Sequence, residues 1–205
     1  MGKNAPAGTY KAVFTATDQT GLSADAVLEY TILPNHPPVQ SSNLGDRILQ
    51  KTESFASPFR DDDGEILTLK AQSSNTMVLN VKASSSVIEL VPLRDGVVTV
   101  TLTATDGLGE SASLSFRVAV RTSSKSMDVY PVPASTEVNF WPDSLVEQPL
   151  KVTLFSATGS KVLSADFSAS VFLPAVLDIT SLAPGKYTAI LEYGGISWRE
   201  TAVKI

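Results

Sequence analysis

The sequence predicts an all-β chain built as tandem β-sandwiches. Three observations carry that prediction. Apolar and polar residues alternate over short runs, as in strands with one buried face. Gly, Pro and Asp interrupt those runs at short intervals. One two-strand segment occurs twice, 88 positions apart from Gly8 to Gly96. No stretch reads as a helix of normal length.

Composition agrees. The chain has 205 residues, room for one or two domains of roughly 100–200 residues each. Hydrophobic residues make up 43% and charged ones only 18%, so a core is available and much of the polar surface falls to Ser, Thr, Asn and Gln. The net charge of −5 without a basic stripe argues against nucleic acid. No run reaches the roughly 18 apolar residues of a membrane span. The opening "MGKNAPAGTY" has no apolar core of a secretory signal. With no cysteine and one histidine, His36, thiol chemistry, disulfides and multi-histidine zinc are excluded. A Ser-His-Asp triad would have to rest on His36, and the chain is expected not to be an enzyme.

The first element is the repeat itself. "GTYKAVFTATDQTGLSADAVLEYTI" (8–32) aligns without gaps on "GVVTVTLTATDGLGESASLSFRVAV" (96–120). Its physical content is a strand, a tight turn and a return strand. Asp18 and Asp106 bond their own downstream backbone, and Gly21 and Gly109 supply positive φ. Two strands cannot bury a core alone. Residues 1–34 are therefore expected to be the C-terminal part of an incomplete sandwich whose remainder lies in a longer protein. A missing signal peptide then says only that the N-terminus is missing.

"LPNHPPV" (33–39) is the next boundary, stiffened by prolines without backbone donors. A whole unit follows over 35–121. Its acidic turn, "PFRDDDGEILTL" (58–69), places Asp61, Asp63 and Glu65 at alternate positions, on one side of an extended segment, with Gly64 allowing a sharp bend. Hard oxygen ligands of this kind suit Ca²⁺, and Asp106 would join them if the strands pair suitably. An EF-hand is excluded, because Gln72 stands where its final Glu would be. The alternative is a solvated acidic turn with Asp106 as its own turn cap.

"NHPPV", "FRDDDGEILT" and "TATDGLGESASLSFRVAV" together resemble the cadherin-like and immunoglobulin-like repeats of bacterial surface proteins. Phe59, Asp61, Asp63, Gly64, Leu67, Thr68, Asp106 and Gly109 fall on that pattern, and Glu65 replaces the usual Asp. The resemblance implies a seven-stranded sandwich, sometimes rigidified by calcium, acting as a spacer or adhesion module. It implies no activity.

"TSSKSM" (122–127) reads as a polar linker, and 128–205 as the last unit. "VYPVPAS" (129–135) is expected to be extended and to start an edge strand. Strands follow at Glu137–Phe140 and Lys151–Phe155, the latter entering a hairpin turn with Gly159 at positive φ. "SLAPGKY" (181–187) reads as a type II turn with Pro184 and Gly185 at its centre. Tyr193-Gly-Gly-Ile196 reads as a type I′ hairpin before a closing strand.

In that order these features resemble the C-terminal sorting domain of the type IX secretion system of Gram-negative bacteria. Tyr130, Pro131, Pro133 and Ala134 match its Y-P-N-P-A opening, with Val132 where Asn is usual. Val152, Leu154, Phe155, Gly159 and Val162 match its central hairpin. Leu177, Asp178, Ile179, Leu182, Gly185 and Tyr187 match its L-D-I turn, and Lys204 its basic end. The resemblance implies tandem immunoglobulin-like/cadherin-like sandwiches ending in a small seven-stranded sorting domain. It implies an outer-membrane translocon and a sortase-like peptidase as partners, attachment to surface lipopolysaccharide, and a secreted or outer-membrane cell-surface location. The cut is expected in the mobile polar linker at 122–128. The competing reading is a calcium-dependent adhesion module or a carbohydrate-binding module without a sorting role. In the latter, Trp141, Trp198 and Tyr193 would form a sugar platform.

Overall fold

The computed structural model describes residues 6–84 and 86–205. Positions 1–5 of the first predicted unit lie outside the described residues. Among the described residues there is no helix, hence none long and apolar enough to cross a membrane.

A two-stranded ribbon comes first, β1 (Gly8–Thr17) with β2 (Ser23–Ile32). Its ten cross-strand pairs recur at the same offset of 88 in β10 (Gly96–Thr105) and β11 (Ser111–Val120), from Gly8–Ile32 against Gly96–Val120 to Thr17–Ser23 against Thr105–Ser111. The turn chemistry recurs as well. Asp18 Oδ1 accepts the N–H groups of Thr20 and Leu22, and Asp106 Oδ1 those of Leu108 and Glu110. Gly21 and Gly109 take φ of 86° and 94°, which a Cβ would resist.

The middle unit is a two-layer sandwich. One sheet has the order β4 (Arg47–Leu49), β11, β10, β7 (Thr68–Ser73); β4 runs parallel to β11 and the rest are antiparallel. The facing sheet has the order β5 (Glu53–Ala56), β9 (Val87–Pro92), β8 (Leu79–Ala83). A two-residue pair, β3 (Val39–Gln40) with β6 (Phe59–Arg60), lies beside them. Alternation decides the layering. Val98, Val100, Leu102 and Ala104 are buried against Leu79, Ile88 and Leu90, while Thr101 and Thr103 face outward and bond Ser115 and Ser113.

The terminal unit has seven strands in two sheets, as expected. β12 (Met127–Tyr130), β13 (Glu137–Pro142) and β16 (Ala175–Asp178) form one sheet. β15 (Lys161–Ala169), β14 (Gln148–Phe155), β17 (Gly185–Tyr193) and β18 (Ile196–Lys204) form the other. Phe140, Leu150, Leu154, Ile179 and Leu191 fill the space between them. Gly194 and Gly195 both have positive φ, 59° and 80°, as a type I′ turn requires.

Three local expectations differ from the structure. The acidic segment 61–64 is a turn, not an extended run, because Asp61 Oδ1 accepts the N–H groups of Asp63 and Glu65 and curls the chain around itself. The "YPVPAS" stretch ends β12 rather than starting a strand; Pro131 to Pro133 form a bend. The bend at 181–187 is not centred on Pro184-Gly185. Asp178 caps Thr180, Leu182 donates to the Ile179 carbonyl, and Gly185 already pairs with Lys204 in β17.

Candidate functional site

Three sets of side chains outside the cores are built with specific partners: the acidic turn, the joint between the sandwiches, and the ends of the terminal unit.

At the acidic turn the carboxylates splay, each to its own partner. Asp63 holds the linker: its Oδ2 accepts the His36 N–H at 2.6 Å, and its Oδ1 lies 2.9 Å from His36 Nδ1. Asp106 Oδ2 accepts Asn35 Nδ2 at 2.8 Å, which docks the preceding residue of the same linker. Glu65 Oε2 accepts the Gly107 N–H at 2.8 Å and ties this turn to the β10–β11 turn. Hydrogen bonds from the His36 side chain and backbone hold the Asp63 carboxyl below its ordinary range. The Asn35 amide, followed by the backbone donors of the turn, does the same for Asp106. Asp61 Oδ2 is buried and has no hydrogen-bond partner among the described residues. Among the described residues no three acidic or imidazole groups come together as a metal cluster. As arranged, Asp63 and Asp106 fix the linker to the middle unit, Glu65 ties the two turns together, and Asp61 caps its own turn.

The joint between the sandwiches is apolar and centred on Trp141. Ile48 and Ala119 from the middle unit pack against Trp141, Val171 and Phe172. The Trp141 indole N–H donates to the Val171 carbonyl at 2.7 Å. Arg121, 0% exposed, reaches across the joint. Its guanidinium donates to the Trp141 carbonyl at 2.7 Å and to Asp128 Oδ2 at 2.5 Å, and lies 4.7 Å from the indole ring centroid. Arg117, paired with Asp46, covers the Phe172 ring at 4.2 Å. Sequence reasoning missed Arg121, the last residue of the predicted middle unit. The one signal was an Asp seven residues later.

These contacts remove the proposed sugar platform. Trp141 is 7% exposed and Tyr193 is 8% exposed, with the Tyr193 hydroxyl donating to the Ala169 carbonyl. Trp198 packs on the terminal core. Trp141 and Tyr193 are thus closed to stacking, while Trp198 alone stays partly exposed.

In the terminal unit two of the predicted motif residues, Ala134 and Gly185, pair with a third, Lys204. Ala134 bridges in parallel to Lys204: its N–H donates to the Val203 carbonyl at 2.7 Å and its carbonyl accepts the Ile205 N–H at 2.9 Å. The opening motif therefore latches the end of the last strand. Tyr130 stacks edge-on to Trp141 at 6.3 Å, and burial raises the pKa of its hydroxyl. Pro131 and Pro133 follow it in the exposed bend, both after cis peptide bonds. Gly159, with φ 81°, closes the β14–β15 hairpin. The Asp178 carboxyl is held low by its bonds from the Thr180 backbone and hydroxyl. Gly185 opens β17, and the Tyr187 hydroxyl donates to the Ala183 carbonyl at 2.6 Å, bracing the same bend.

The family described as the secretion system C-terminal sorting domain matches residues 128–204. Those residues are a type IX sorting domain. The match takes in nearly all of the seven-stranded sandwich, including Ala134, and this sandwich is joined to a second one. No curated protein matches the chain. Among solved structures, latent dimeric PorU from Porphyromonas gingivalis is similar at 15% identity and a TM-score of 0.31, over 95% of this chain and 24% of that one. The D00–D0 domain of intimin is similar at 13% identity and a TM-score of 0.39, over 82% and 98%. Cadherin domains 1–5 of protocadherin gamma B2 are similar at 11% identity and a TM-score of 0.39, over 96% and 51%. The chain thus spans about a quarter of the PorU chain's length. Carrying the sorting domain, the chain belongs to a secreted or cell-surface protein.

Proposed function

We propose that the chain delivers and displays a passenger. The sorting domain is read by the outer-membrane translocon of the type IX system, and the immunoglobulin-like unit spaces the passenger from the surface. The observation that carries this is the family match over 128–204, together with the latch that joins the opening motif to the last strand. The outer edge of β18, up to the Ala134 latch at its end, is the face offered for recognition by strand pairing. A sortase-like peptidase then separates the domain, and the passenger is attached to surface lipopolysaccharide of a Gram-negative cell. The chain acts without catalysis of its own, in keeping with a lone histidine spent on the linker against Asp63.

A fusion of residues 122–205 to a periplasm-directed reporter, in a bacterium with the type IX system, tests sorting. Surface display with loss of the tail is expected; a reporter retained in the periplasm overturns the proposal. Removal of residues 196–205 tests the β18 edge. Normal export without them excludes it as the recognition element.

Calcium-dependent stiffening is a second reading, favoured by one observation, the buried and unpartnered Asp61 Oδ2. Asp61, Asp63, Glu65 and Asp106 would supply its oxygens, each after giving up or sharing a present hydrogen bond. A calcium-dependent rise in Tm that Asp63→Ala abolishes supports that reading. A Tm indifferent to calcium removes both the ion and calcium-dependent adhesion.

A further inference from the structure

The strap between the sandwiches, residues 122–126, makes up most of the segment 122–127 that the sequence reads as a polar linker. Its bonding is that of a folded segment. Thr122 donates its N–H and its hydroxyl to Asp95 Oδ1, each at 2.7 Å. The Ser123 hydroxyl donates to Asp128 Oδ1 at 3.2 Å and accepts the Lys125 N–H at 3.2 Å. The Lys125 carbonyl accepts from the Arg121 guanidinium at 3.3 Å, and the Ser126 carbonyl from the Asp143 N–H at 3.1 Å. Among the described residues, Ser124 is the strap position without such a bond.

Arg121 is the hub of this arrangement. One buried guanidinium holds a strap carbonyl, the Asp128 carboxylate and the Trp141 carbonyl, and lies over the indole that fills the joint. We infer that this hub gates proteolytic processing: the strap can be hydrolysed only once Arg121 has left Trp141 and Asp128 and the two sandwiches have parted. The inference rests on the reading that the sorting domain is separated from its passenger.

The physical argument concerns what an endopeptidase needs. It takes its substrate as an extended segment and aims oxyanion donors at the scissile carbonyl. Here the Lys125 carbonyl is turned inward to a guanidinium, and both flanks of the strap are tied to opposite domains. Freeing it means baring a buried cation together with Trp141, Ala119 and Val171, which are otherwise covered. Local openings of that kind are rare compared with the fraying of an untethered linker. A translocon or peptidase that grips the sorting domain and tilts it would expose the strap, so docking would precede the cut.

A lysine-specific endoproteinase acting on the 205-residue chain tests the gate, because Lys125 is the one lysine of the strap. Intact mass resolves cleavage after Lys125 from cleavage elsewhere. The folded chain is expected to be cut there far more slowly than a free peptide spanning Ala119–Tyr130. Arg121→Met and Asp128→Asn are each expected to speed that cut at least about tenfold. Cuts inside the sandwiches, at Lys82 or Lys151, should stay slow. Should Arg121→Met unfold a sandwich, those internal cuts appear as well, and Asp128→Asn, which keeps the shape of the pair, decides. Wild-type cleavage as fast as the peptide, or equal Lys125 rates in wild type and Asp128→Asn, overturns the gate. The digestion needs no secretion machinery, so failure of the reporter fusion and failure of the gate remain separate results.

Discussion

Arg121 and the acidic side chains around it show how unevenly single residues matter here. Replacing Asp128 by Ala leaves a buried guanidinium with neutral partners only, and such broken pairs cost about 3–5 kcal/mol. Asp128→Ala is therefore expected to lower the stability of the joint by that order, read as a lower denaturant midpoint. Asp166→Ala, on the exposed side of β15, should change it by less than about 0.5 kcal/mol. The acidic turns give a pH dependence of known sign. Asp46, Asp63, Asp106 and Asp178 all titrate below their ordinary range because donors favour the ionised form, led by Arg117, His36, Asn35 and the Thr180 backbone respectively. Folding then releases protons. The stability they add is fully present above the unfolded aspartate pKa of about 3.9 and is lost as pH falls through the lower folded values. Urea midpoints should be flat near neutrality and drop below about pH 4, and Asp106→Asn should flatten that drop. The turn roles of Asp18, Asp106, Gly109 and Gly159 were legible in the sequence, since a turn depends on its own few residues. The burial of Arg121 and Trp141 was not, because it depends on which strand of the other sandwich lies opposite.

Among the elements, the two copies of the repeated hairpin form a natural comparison. One face of β10 and β11 is buried, yet Phe14 and Leu28, at the positions of Leu102 and Phe116, are 60% and 53% exposed. The glycines at the hairpin starts record the same difference. A Cβ on Gly96 would lie 2.9 Å from Val78 Cγ2, whereas on Gly8 the nearest atom is 3.8 Å away. Both glycines hold a positive φ, and Gly96→Ala is expected to cost about 1–3 kcal/mol more than Gly8→Ala because of the Val78 clash, when their thermal melts are compared. We propose that the β1–β2 ribbon is the closing hairpin of a further sandwich whose other strands cover the Tyr10, Phe14, Leu28 and Tyr30 face. Hydrogen exchange checks this. In the 205-residue chain the ribbon amides should exchange far faster than those of β10 and β11; equal protection would mean that the ribbon is stable without a cover. Hairpin pairing was readable from the sequence because turn and register are local. Sheet order was not. The parallel contact of β4 with β11, and the pairing of β14 with β17, join segments far apart in the chain and leave no local mark.

At the scale of the molecule, the joint is expected to couple the two sandwiches, with Trp141 and Arg121 packed between them. Two cooperative transitions that merge into one are the expected calorimetric signature of the wild-type joint. Trp141→Ala should split them, and the transitions staying merged would show that coupling does not run through the indole. The latch between Ala134 and the end of β18 has a consequence in time. Synthesis proceeds from the N-terminus, and domains fold as their parts emerge. The sorting domain cannot close until Val203 to Ile205 are available to fold, because Ala134 waits about seventy residues for its partner. Contacts that distant also form slowly. A product truncated before Val203 therefore lacks the latch and, on the proposed reading, the shape that the translocon recognises.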